Sequence, residues 1–275
     1  MTVHYEERGA IALVTIDRPE RRGAMNLQSY VQLADAWRKA AANPEVRVAV
    51  ITGVGDSYCA GADLKEFIPV VAGQARDRAA GGAMPQESAP DDHAADLMLA
   101  VLRDIDYPKP IVAAVNGPCV ASGMEMLLGT DLRLASPDAL FGLPEVCRGL
   151  FASGGSTVRL PRQIAYVHAM DLLLTGRYVT AAEALAMGLI NQVVEKPKLL
   201  DTALELAARI AANSPGAVSA TKLSVLDGFK TGIGEAYVRE LEHGDKVFSA
   251  PDAVEGPRAF LEKRAPRWTG ISAAL

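Results

Sequence analysis

The stretch VAVITGVGDSYCAGADLKEF, from Val48 to Phe67, decides the fold of this chain. It opens with an unbroken apolar run, Val48 to Ile51, which is followed by two glycines, and this pattern predicts a strand buried on both faces. The residues from Cys59 to Ala62 are small, so the backbone there can approach a bound group closely. We therefore predict a strand, a loop of small residues and a helical turn that starts at Leu64.

Asp63 is placed to cap that turn by accepting hydrogen bonds from its first backbone amides. The amide of Ala62 would then be free to donate to an anionic oxygen, which is half of an oxyanion hole. A dinucleotide-binding loop is disfavoured, because Tyr58 stands where GxGxxG needs its third glycine. A strand, loop and short helix without any chemistry remains the competing interpretation of this stretch.

A second stretch repeats the same arrangement. The apolar run Ile111 to Val115 predicts another buried strand, and it leads into NGPCVASGMEMLLGTD. Small residues surround Ser122 there, and Glu125 falls in the first turn of the helix that follows. Two such loops could face one pocket.

The remaining pattern predicts a mixed α/β core over residues 1–197 and a helical region over residues 198–275. Further core strands are predicted at Ile11–Ile16, Leu132–Ala135, Ala139–Gly142 and Ile190–Val194. Core helices are predicted from Leu27 to before Pro44, over 97–105, over Ile164–Thr175, and from a Thr180/Glu183 capping box to near Gly188. The tail helices are predicted over 199–212, 215–227, 233–248 and 251–264, with Pro251 in the first helical position. The Ala-, Gly- and Pro-rich segment from Pro69 to Asp92 is predicted to be either a mobile lid or disordered.

Composition narrows the class of protein. The chain has 275 residues and a formal net charge of −5, so it carries no basic field for nucleic acid or an anionic membrane. Its N-terminus lacks an apolar signal core and no run reaches membrane-spanning length, so we expect a soluble, cytoplasmic protein. Cys59, Cys119 and Cys147 lack the spacing of a zinc site and fit reduced thiols, so no metal is predicted.

The residues that remain for chemistry are two glutamates. The four histidines are scattered, and neither HExxH nor GxSxG occurs, which disfavours zinc and serine hydrolases. Glu125 and Glu145 each lie close in sequence to a small-residue loop, and paired carboxylates beside an oxyanion hole suit proton transfer next to a carbonyl. Alternatively, Glu125 only complements a helix dipole and Glu145 is a surface residue. Arg18, Arg21 and Arg22 likewise fit either a solvated loop or a phosphate site.

Five motifs together resemble the enoyl-CoA hydratase/isomerase (crotonase) family, in order and over nearly the whole chain. They are CAGADLKEF, AAVNGPCVASGMEMLLGTD, FGLPEVCRGLFASGGSTVRLPR, LTGRYVTAAEALAMGLINQVV and EGPRAFLEKRAPRW. The resemblance implies a spiral of repeated ββα units and a helical C-terminal region that packs trimers, often paired into hexamers. It also implies acyl-CoA thioester substrates and no cofactor beyond the CoA of the substrate.

The resemblance also assigns roles to single residues. Glu125 and Glu145 match the two catalytic glutamates of the hydratases, which hold a water that adds to C3 of a trans-2-enoyl-CoA while the second glutamate delivers a proton to C2. Ala62 and Ser122 match the oxyanion-hole amides. The positions that match CoA-binding residues are Arg22, Ala24, Met25, Ala60, Asp63, Leu64, Lys65 and, reaching a neighbouring subunit, Phe260 and Lys263.

The chain departs from the family pattern at three places. Gly23 replaces the usual asparagine in the adenine-binding turn, Ser122 replaces a glycine, and Ala152 and Ser153 replace a Pro-Gly pair. Because the usual glycine has no side chain to offer, the Ser122 hydroxyl is expected to be incidental to the site. Ser122 and Ser153 are expected to add side chains near the acyl pocket, which could shift the substrate away from plain fatty enoyl-CoA.

We therefore predict an enoyl-CoA hydratase of fatty or branched acyl-CoA breakdown, a homotrimer or hexamer that binds neither nucleic acid nor membrane. The alternatives are another reaction of the same family, such as a carnitinyl-CoA-type dehydratase or an isomerase, and a crotonase-fold protein that binds RNA or acts as a scaffold. The acidic balance and the two retained glutamates speak against the last.

Overall fold

The computed structural model describes residues 1–67, 93–103 and 105–270, together with positions 69 and 73. Nearly all of the segment predicted as a lid or as disordered lies outside these residues. The strands are β1 (Val3–Arg8), β2 (Ile11–Ile16), β3 (Val48–Gly53), β4 (Ile111–Val115), β5 (Cys119–Val120), β6 (Leu132–Ala135), β7 (Leu140–Gly142), β8 (Tyr178–Thr180) and β9 (Gln192–Val193). The α-helices are α1 (Leu27–Ala42), α2 (Ala94–Ala100), α3 (Ser122–Leu127), α4 (Ser156–Gln163), α5 (Tyr166–Thr175), α6 (Ala181–Ala186), α7 (Leu199–Ala211), α8 (Pro215–Gly228), α9 (Ile233–Phe248) and α10 (Asp252–Leu261).

Six strands form the main sheet in the order β1-β2-β3-β4-β6-β9. Strand β1 runs antiparallel to β2, and the other neighbours are parallel. Strands β5, β7 and β8 form a second, smaller sheet. Because β3 and β4 are parallel neighbours, the loops that follow them leave the same edge of the sheet, where ligands of α/β folds commonly bind.

Each face of the main sheet has its own apolar cluster. Successive side chains of a strand point to opposite faces, so Val14 and Ile51 join the cluster of α1, whereas Leu13 and Val50 join that of α7. Because both faces of the sheet are covered, Val48 to Ile51 in β3 and all of β4 are apolar. The site described below lies at the sheet edge above the α1 cluster.

Most predicted elements are confirmed, and the differences have local causes. Strand β1 is absent from the predictions because its second half, Glu6 to Arg8, is charged and exposed, as befits an edge strand, and so shows no apolar alternation. The helix predicted over 97–105 is instead α2, which begins three residues earlier and ends at Ala100. The prediction that Pro251 is the first helical residue is wrong by one position, since Pro251 caps α10.

The C-terminal region is helical from Leu199 to Leu261, as predicted, with short connections. Helix α7 packs on the main sheet through Ala203 and Ala207, whereas the 16-residue helix α9 has no buried residue. The proposed division at residue 198 stays a prediction. No helix among the described residues is both long and apolar enough to cross a membrane.

The predicted capping box is confirmed at the start of α6. The Thr180 hydroxyl accepts from the Glu183 amide, and the Glu183 carboxylate accepts from the Thr180 amide at 2.8 Å. We expect Thr180→Ala to lower the free energy of unfolding by about 1 kcal/mol, since it leaves a helix-start amide without its partner. Urea denaturation checks this, with Thr202→Ala as the control, because the Thr202 hydroxyl only bonds the Lys198 carbonyl inside α7. An equal loss in both variants would contradict a capping role.

Candidate active site

The two loops of small residues lie side by side, as predicted. Cys59 pairs with Cys119 in an isolated parallel bridge, and the Val120 amide donates to the Cys59 carbonyl at 2.9 Å. Gly61 packs so closely on the second loop that a Cβ built on it would lie 2.7 Å from the Cβ of Ala121. The contact requires glycine at position 61, which has a φ of +98°.

The amide of Ala62 points away from the bridge that fixes its loop. Met25 pairs with Ala62, and this pairing uses the Gly61 carbonyl and the Asp63 amide, each at 2.8 Å from its Met25 partner. The Asp63 carboxylate accepts from the amides of Lys65 and Glu66, which confirms its predicted capping role. Within the described part of the chain, the Ala62 amide has no acceptor and can serve a ligand.

The amide of Ser122 is aimed by an unusual backbone conformation. Ala121, the residue before it, has φ 51° and ψ −120°, a region that favours glycine. The Ala121 amide is held by the Gly142 carbonyl of β7 at 3.0 Å, and α3 begins directly at Ser122. No acceptor for the Ser122 amide occurs among the residues that the structure describes. The second predicted donor is therefore also available.

One cavity of about 890 Å³ collects the predicted chemistry. Its walls include both candidate oxyanion-hole residues, both glutamates and the two serines that were predicted near the acyl pocket, namely Ala62, Ser122, Glu125, Glu145 and Ser153. Aromatic and aliphatic side chains from α1, α2 and β8 complete the walls. A mostly apolar cleft with a few convergent polar groups is the usual form of a small-molecule site.

Glu125 is buried in this cavity and held by hydrogen bonds. The residue is 6% exposed, and the Oε1 atom of its carboxylate accepts a hydrogen bond from the Gly154 amide at 2.5 Å. Burial raises the pKa of Glu125, although the Gly154 amide, the Ser122 hydroxyl and the positive charge of Arg103 oppose the rise. The alternative that Glu125 only complements a helix dipole does not explain these contacts.

Glu145 lies in a short 3₁₀ helix, Pro144–Arg148, that Gly149 ends in a left-handed conformation. The residue is 8% exposed, so the alternative that it is a surface residue is wrong. Within the described residues its Oε2 atom is buried without a hydrogen-bond partner. Burial, together with the negative charge of Glu125, raises the pKa of Glu145 to about 7, and the charge of Arg148 opposes this rise. A carboxyl group of this kind can give or take a proton near neutral pH.

The Ser122 hydroxyl takes part in a buried hydrogen bond that the sequence-based expectation of an incidental hydroxyl does not include. It accepts a hydrogen bond from the Tyr30 hydroxyl at 2.9 Å, and it lowers the pKa of Glu125, which lies one turn later in α3. Sequence reasoning missed Tyr30 and Gly154, because each contacts its partner across a long stretch of chain. The sequence signal was the place of Tyr30 on the apolar stripe of α1 with Leu33 and Trp37, where a hydroxyl needs a buried partner.

The predicted CoA-binding residues lie in two regions, one around the oxyanion-hole loop and one in the C-terminal helical region. Arg22, Ala60 and Leu64 line the cavity mouth beside the oxyanion-hole loop, and Met25 and Asp63 support that loop from behind. Ala24 and Lys65 are its neighbours, and Lys65 is exposed. Phe260 and Lys263 do not line this cavity in the single chain, and Phe260 is 82% exposed.

The arginine-rich loop is more ordered than a solvated loop would be. Arg18 is buried and donates to the Ala24 carbonyl at 2.5 Å, with the Asp63 carboxylate 3.7 Å away. Arg21 and Arg22 are exposed. Gly23 has a φ of +71°, and a Cβ there would lie 2.9 Å from the Tyr58 carbonyl oxygen, so this backbone disfavours the asparagine usual in the family.

Comparison with known proteins shows the family of this chain. Residues 6–271 match the family described as enoyl-CoA hydratase/isomerase, so the chain belongs to the crotonase family. It is 42% identical to the enoyl-CoA hydratase EchA19 of Mycobacterium tuberculosis, over 96% of this chain and 94% of that protein. It is 34% identical to carnitinyl-CoA dehydratase of Proteus mirabilis, over 98% of each. A crystal structure of enoyl-CoA hydratase from Mycobacterium tuberculosis superposes with a TM-score of 0.84 at 37% identity, covering 98% of this chain and 99% of that one. The crotonase fold and a family enzyme are thereby confirmed.

Proposed function

We propose that this protein is an enoyl-CoA hydratase, which adds water reversibly across the 2,3 double bond of a trans-2-enoyl-CoA. The observation that carries the proposal is the presence of two buried carboxyl groups, Glu125 and Glu145, in one cavity with the available amides of Ala62 and Ser122. An enzyme that only moved a double bond would need one acid, whereas adding water requires one group for the water and one for the carbon.

The geometry supports a simple division of roles. The thioester oxygen accepts from the amides of Ala62 and Ser122, which stabilise the negative charge that develops on it. Ionised Glu125 takes a proton from the water while the water oxygen bonds to C3. Protonated Glu145 gives a proton to C2. The substrate gains the atoms of one water, so the reaction needs no cofactor beyond the CoA of the substrate. The step leaves Glu125 protonated and Glu145 ionised, and proton exchange with solvent restores both groups before the next turnover.

The direct test follows the loss of enoyl absorbance over a series from crotonyl-CoA to hexadecenoyl-CoA. We expect hydration of at least one member, with the optimum reporting the acyl length that the cavity accepts. Absence of hydration throughout the series, in a folded protein that binds CoA, would overturn the proposal.

A carnitinyl-CoA-type dehydratase is the second candidate, favoured by the 34% identical relative of that name. The same two carboxyl groups would remove water rather than add it, so the cavity serves either direction. Measured with carnitinyl-CoA and with crotonyl-CoA side by side, the larger kcat/KM assigns the substrate class.

Arg148 gives a prediction for pH dependence. Hydration needs the protonated form of Glu145, so kcat/KM should fall as pH rises through about 7. The positive charge of Arg148 lowers that pKa, and its removal in Arg148→Gln should move the alkaline limb to higher pH. Raising the salt concentration screens the exposed guanidinium of Arg148, so it should also move the alkaline limb of the wild type to higher pH. The same change in salt should move the limb of the variant less. A limb that moves to lower pH in the variant would contradict this account.

We also propose that the chain forms a trimer or hexamer through its helical tail. Helix α9 buries none of its residues in the single chain, and it exposes apolar side chains that a soluble surface does not explain. The most exposed large apolar residues of α9 and α10 are Ile233, Tyr237, Val238, Leu241, Phe248, Val254, Phe260 and Leu261.

Ending the chain after residue 250 should weaken both assembly and CoA affinity, because it removes Phe260 and Lys263 together with α10. Sedimentation velocity and CoA titration measure the two effects. Leu241→Asp is the matched point variant, since Leu241 is 68% exposed and its change should break assembly without unfolding the monomer. A fully active monomer would rule out the proposed assembly.

A further inference from the structure

Tyr30 lies at the start of a chain of buried hydroxyl groups that ends on Glu125. The residue belongs to α1 and is 3% exposed, and its hydroxyl donates to the Ser122 hydroxyl at 2.9 Å. Ser122 and Glu125 lie one turn apart in α3 and line the same cavity, and the Ser122 hydroxyl favours the ionised form of the Glu125 carboxylate. Nothing in the division of roles given above uses either hydroxyl group.

The position of the Tyr30 ring is fixed by its surroundings. Helix α1 begins at a capped end, where the Asn26 side chain accepts from the Ser29 amide at 3.1 Å. The ring stacks on Phe67, with centroids 4.8 Å apart and planes inclined by 21°. A buried ring that stacks on Phe67 and belongs to a capped helix keeps its hydroxyl in one place, which is what a positioning group requires.

The direction of the hydrogen bonds follows from the protons available. Burial raises the pKa of Tyr30 well above its usual value, so the phenol keeps its proton and donates it to Ser122. The serine oxygen then accepts from Tyr30, and its single proton is left for the carboxylate. The Glu125 carboxylate thus accepts from the Gly154 amide at 2.5 Å, and the Ser122 hydroxyl favours the same ionised form.

We propose that Tyr30 is a positioning residue for the hydration reaction, which acts through the Ser122 hydroxyl to hold the ionised carboxylate of Glu125 toward the water. The inference rests on the proposed function and adds a residue to it. It also gives a reason for Ser122 at a position where the family usually has glycine. In this proposal the Ser122 amide donates to the oxyanion and the Ser122 hydroxyl orients the Glu125 carboxylate.

Other groups face Glu125 and must be kept constant in any test. They are the charged side chain of Arg103, the carboxyl group of Glu145, the thiol of Cys59 and the amide of Gly154. None of them contacts the Tyr30 hydroxyl, so Tyr30→Phe removes one hydrogen bond and leaves these groups in place.

The test is a double-mutant cycle in kcat/KM against pH. Tyr30→Phe should lower kcat by roughly threefold to tenfold with little change in KM, since general base orientation is weakened and binding is not. Ser122→Ala should stay within about tenfold of wild type, because its amide remains. Both changes weaken a hydrogen bond to the ionised carboxylate, so the acid limb should move to higher pH. The double variant should match Ser122→Ala, because Tyr30 acts only through that hydroxyl.

Tyr107→Phe is the matched control. It also removes a buried phenol hydroxyl, which donates to the Trp37 carbonyl at 3.2 Å, but it lies outside the cavity. It should lower stability and leave the pH profile unchanged. Losses that multiply in the Tyr30→Phe, Ser122→Ala double variant, or an acid limb that stays fixed in Tyr30→Phe, would overturn the inference.

A readout without turnover separates this inference from the proposed function. The infrared carboxyl band that disappears in Glu125→Gln can be titrated in the free protein, with or without any enoyl-CoA activity. Its midpoint should rise in Ser122→Ala and, by a smaller amount, in Tyr30→Phe. A midpoint unchanged in both variants refutes the hydrogen-bonded chain even if hydration is observed, and a shifted midpoint supports it even if the substrate proves to be different.

Discussion

Replacing Glu125 or Glu145 by glutamine is expected to lower the hydration rate by roughly a hundredfold to ten-thousandfold in each case. Glutamine keeps the size of the side chain and its capacity to accept a hydrogen bond, but it can neither take a proton from water nor give one to carbon. In the proposed mechanism the two groups act on one water, so the double variant should be little slower than the worse single variant. Single-turnover kinetics on the three proteins measures this directly.

Independent losses that multiply in the double variant would contradict a shared water. Thermal unfolding of the same proteins supplies the control for folding and a second expectation. Glu145 has its pKa raised from 4.5 to about 7 in the folded state, so its contribution to stability is lost as pH rises through that window. At pH 8, Glu145→Gln should therefore be more stable than wild type by up to roughly 3 kcal/mol. A less stable variant at pH 8 would show that burial is not what raises this pKa.

Gly154→Ala is expected to lower kcat by at least about a hundredfold while leaving the fold intact. A Cβ built on Gly154 would lie 2.5 Å from Cδ of Glu125, closer than real side chains approach. The carboxylate must then rotate away, and it loses the Gly154 amide that holds it at 2.5 Å. Misplacing a reacting group by about 1 Å commonly costs this much rate. The φ of Gly154 lies outside the left-handed region, so alanine adds no backbone strain.

The effect of Gly154→Ala is read from kcat, from the circular dichroism spectrum and from the affinity for CoA. CoA affinity should change little, because Gly154 adjoins the acyl part of the cavity. Gly228→Ala is the matched control, since a Cβ there meets nothing within 4 Å. Equal activity of Gly154→Ala and wild type would mean that Glu125 works from another orientation.

The fold was predictable where its signal is local. The β3 and β4 runs each precede a loop of small residues, and parallel strands bring their carboxyl ends to one edge, so the meeting of the loops followed from pattern alone. Strand β1 was not predictable in this way, because its half-exposed residues resemble a charged loop. The short strands β5 and β8 were missed as well, since two or three residues carry no period.

The sequence predicted which residues are candidates for the chemistry, but not the contacts that hold them in place. Glu125 and Glu145 were found because carboxyl groups beside small-residue loops are unusual, but their burial depends on the cavity that other elements complete. The contact of Tyr30 with Ser122 spans 92 residues of sequence and has no local signature. The role of Gly154 also depends on a tertiary contact, which a sequence with two adjacent glycines does not reveal.

The two candidate oxyanion donors belong to the main chain, and main-chain pairing through Met25, Cys59 and Gly142 fixes them. Most residues in the cavity wall can change without touching this pairing, so ordinary point substitutions alter which acyl group fits while the polarising amides are inherited unchanged. Such separation lets a lineage acquire new substrates in small steps, each of which keeps a working reaction centre. Relatives that are 34% to 42% identical to this chain carry the names of different acyl-CoA enzymes, as such a separation would allow.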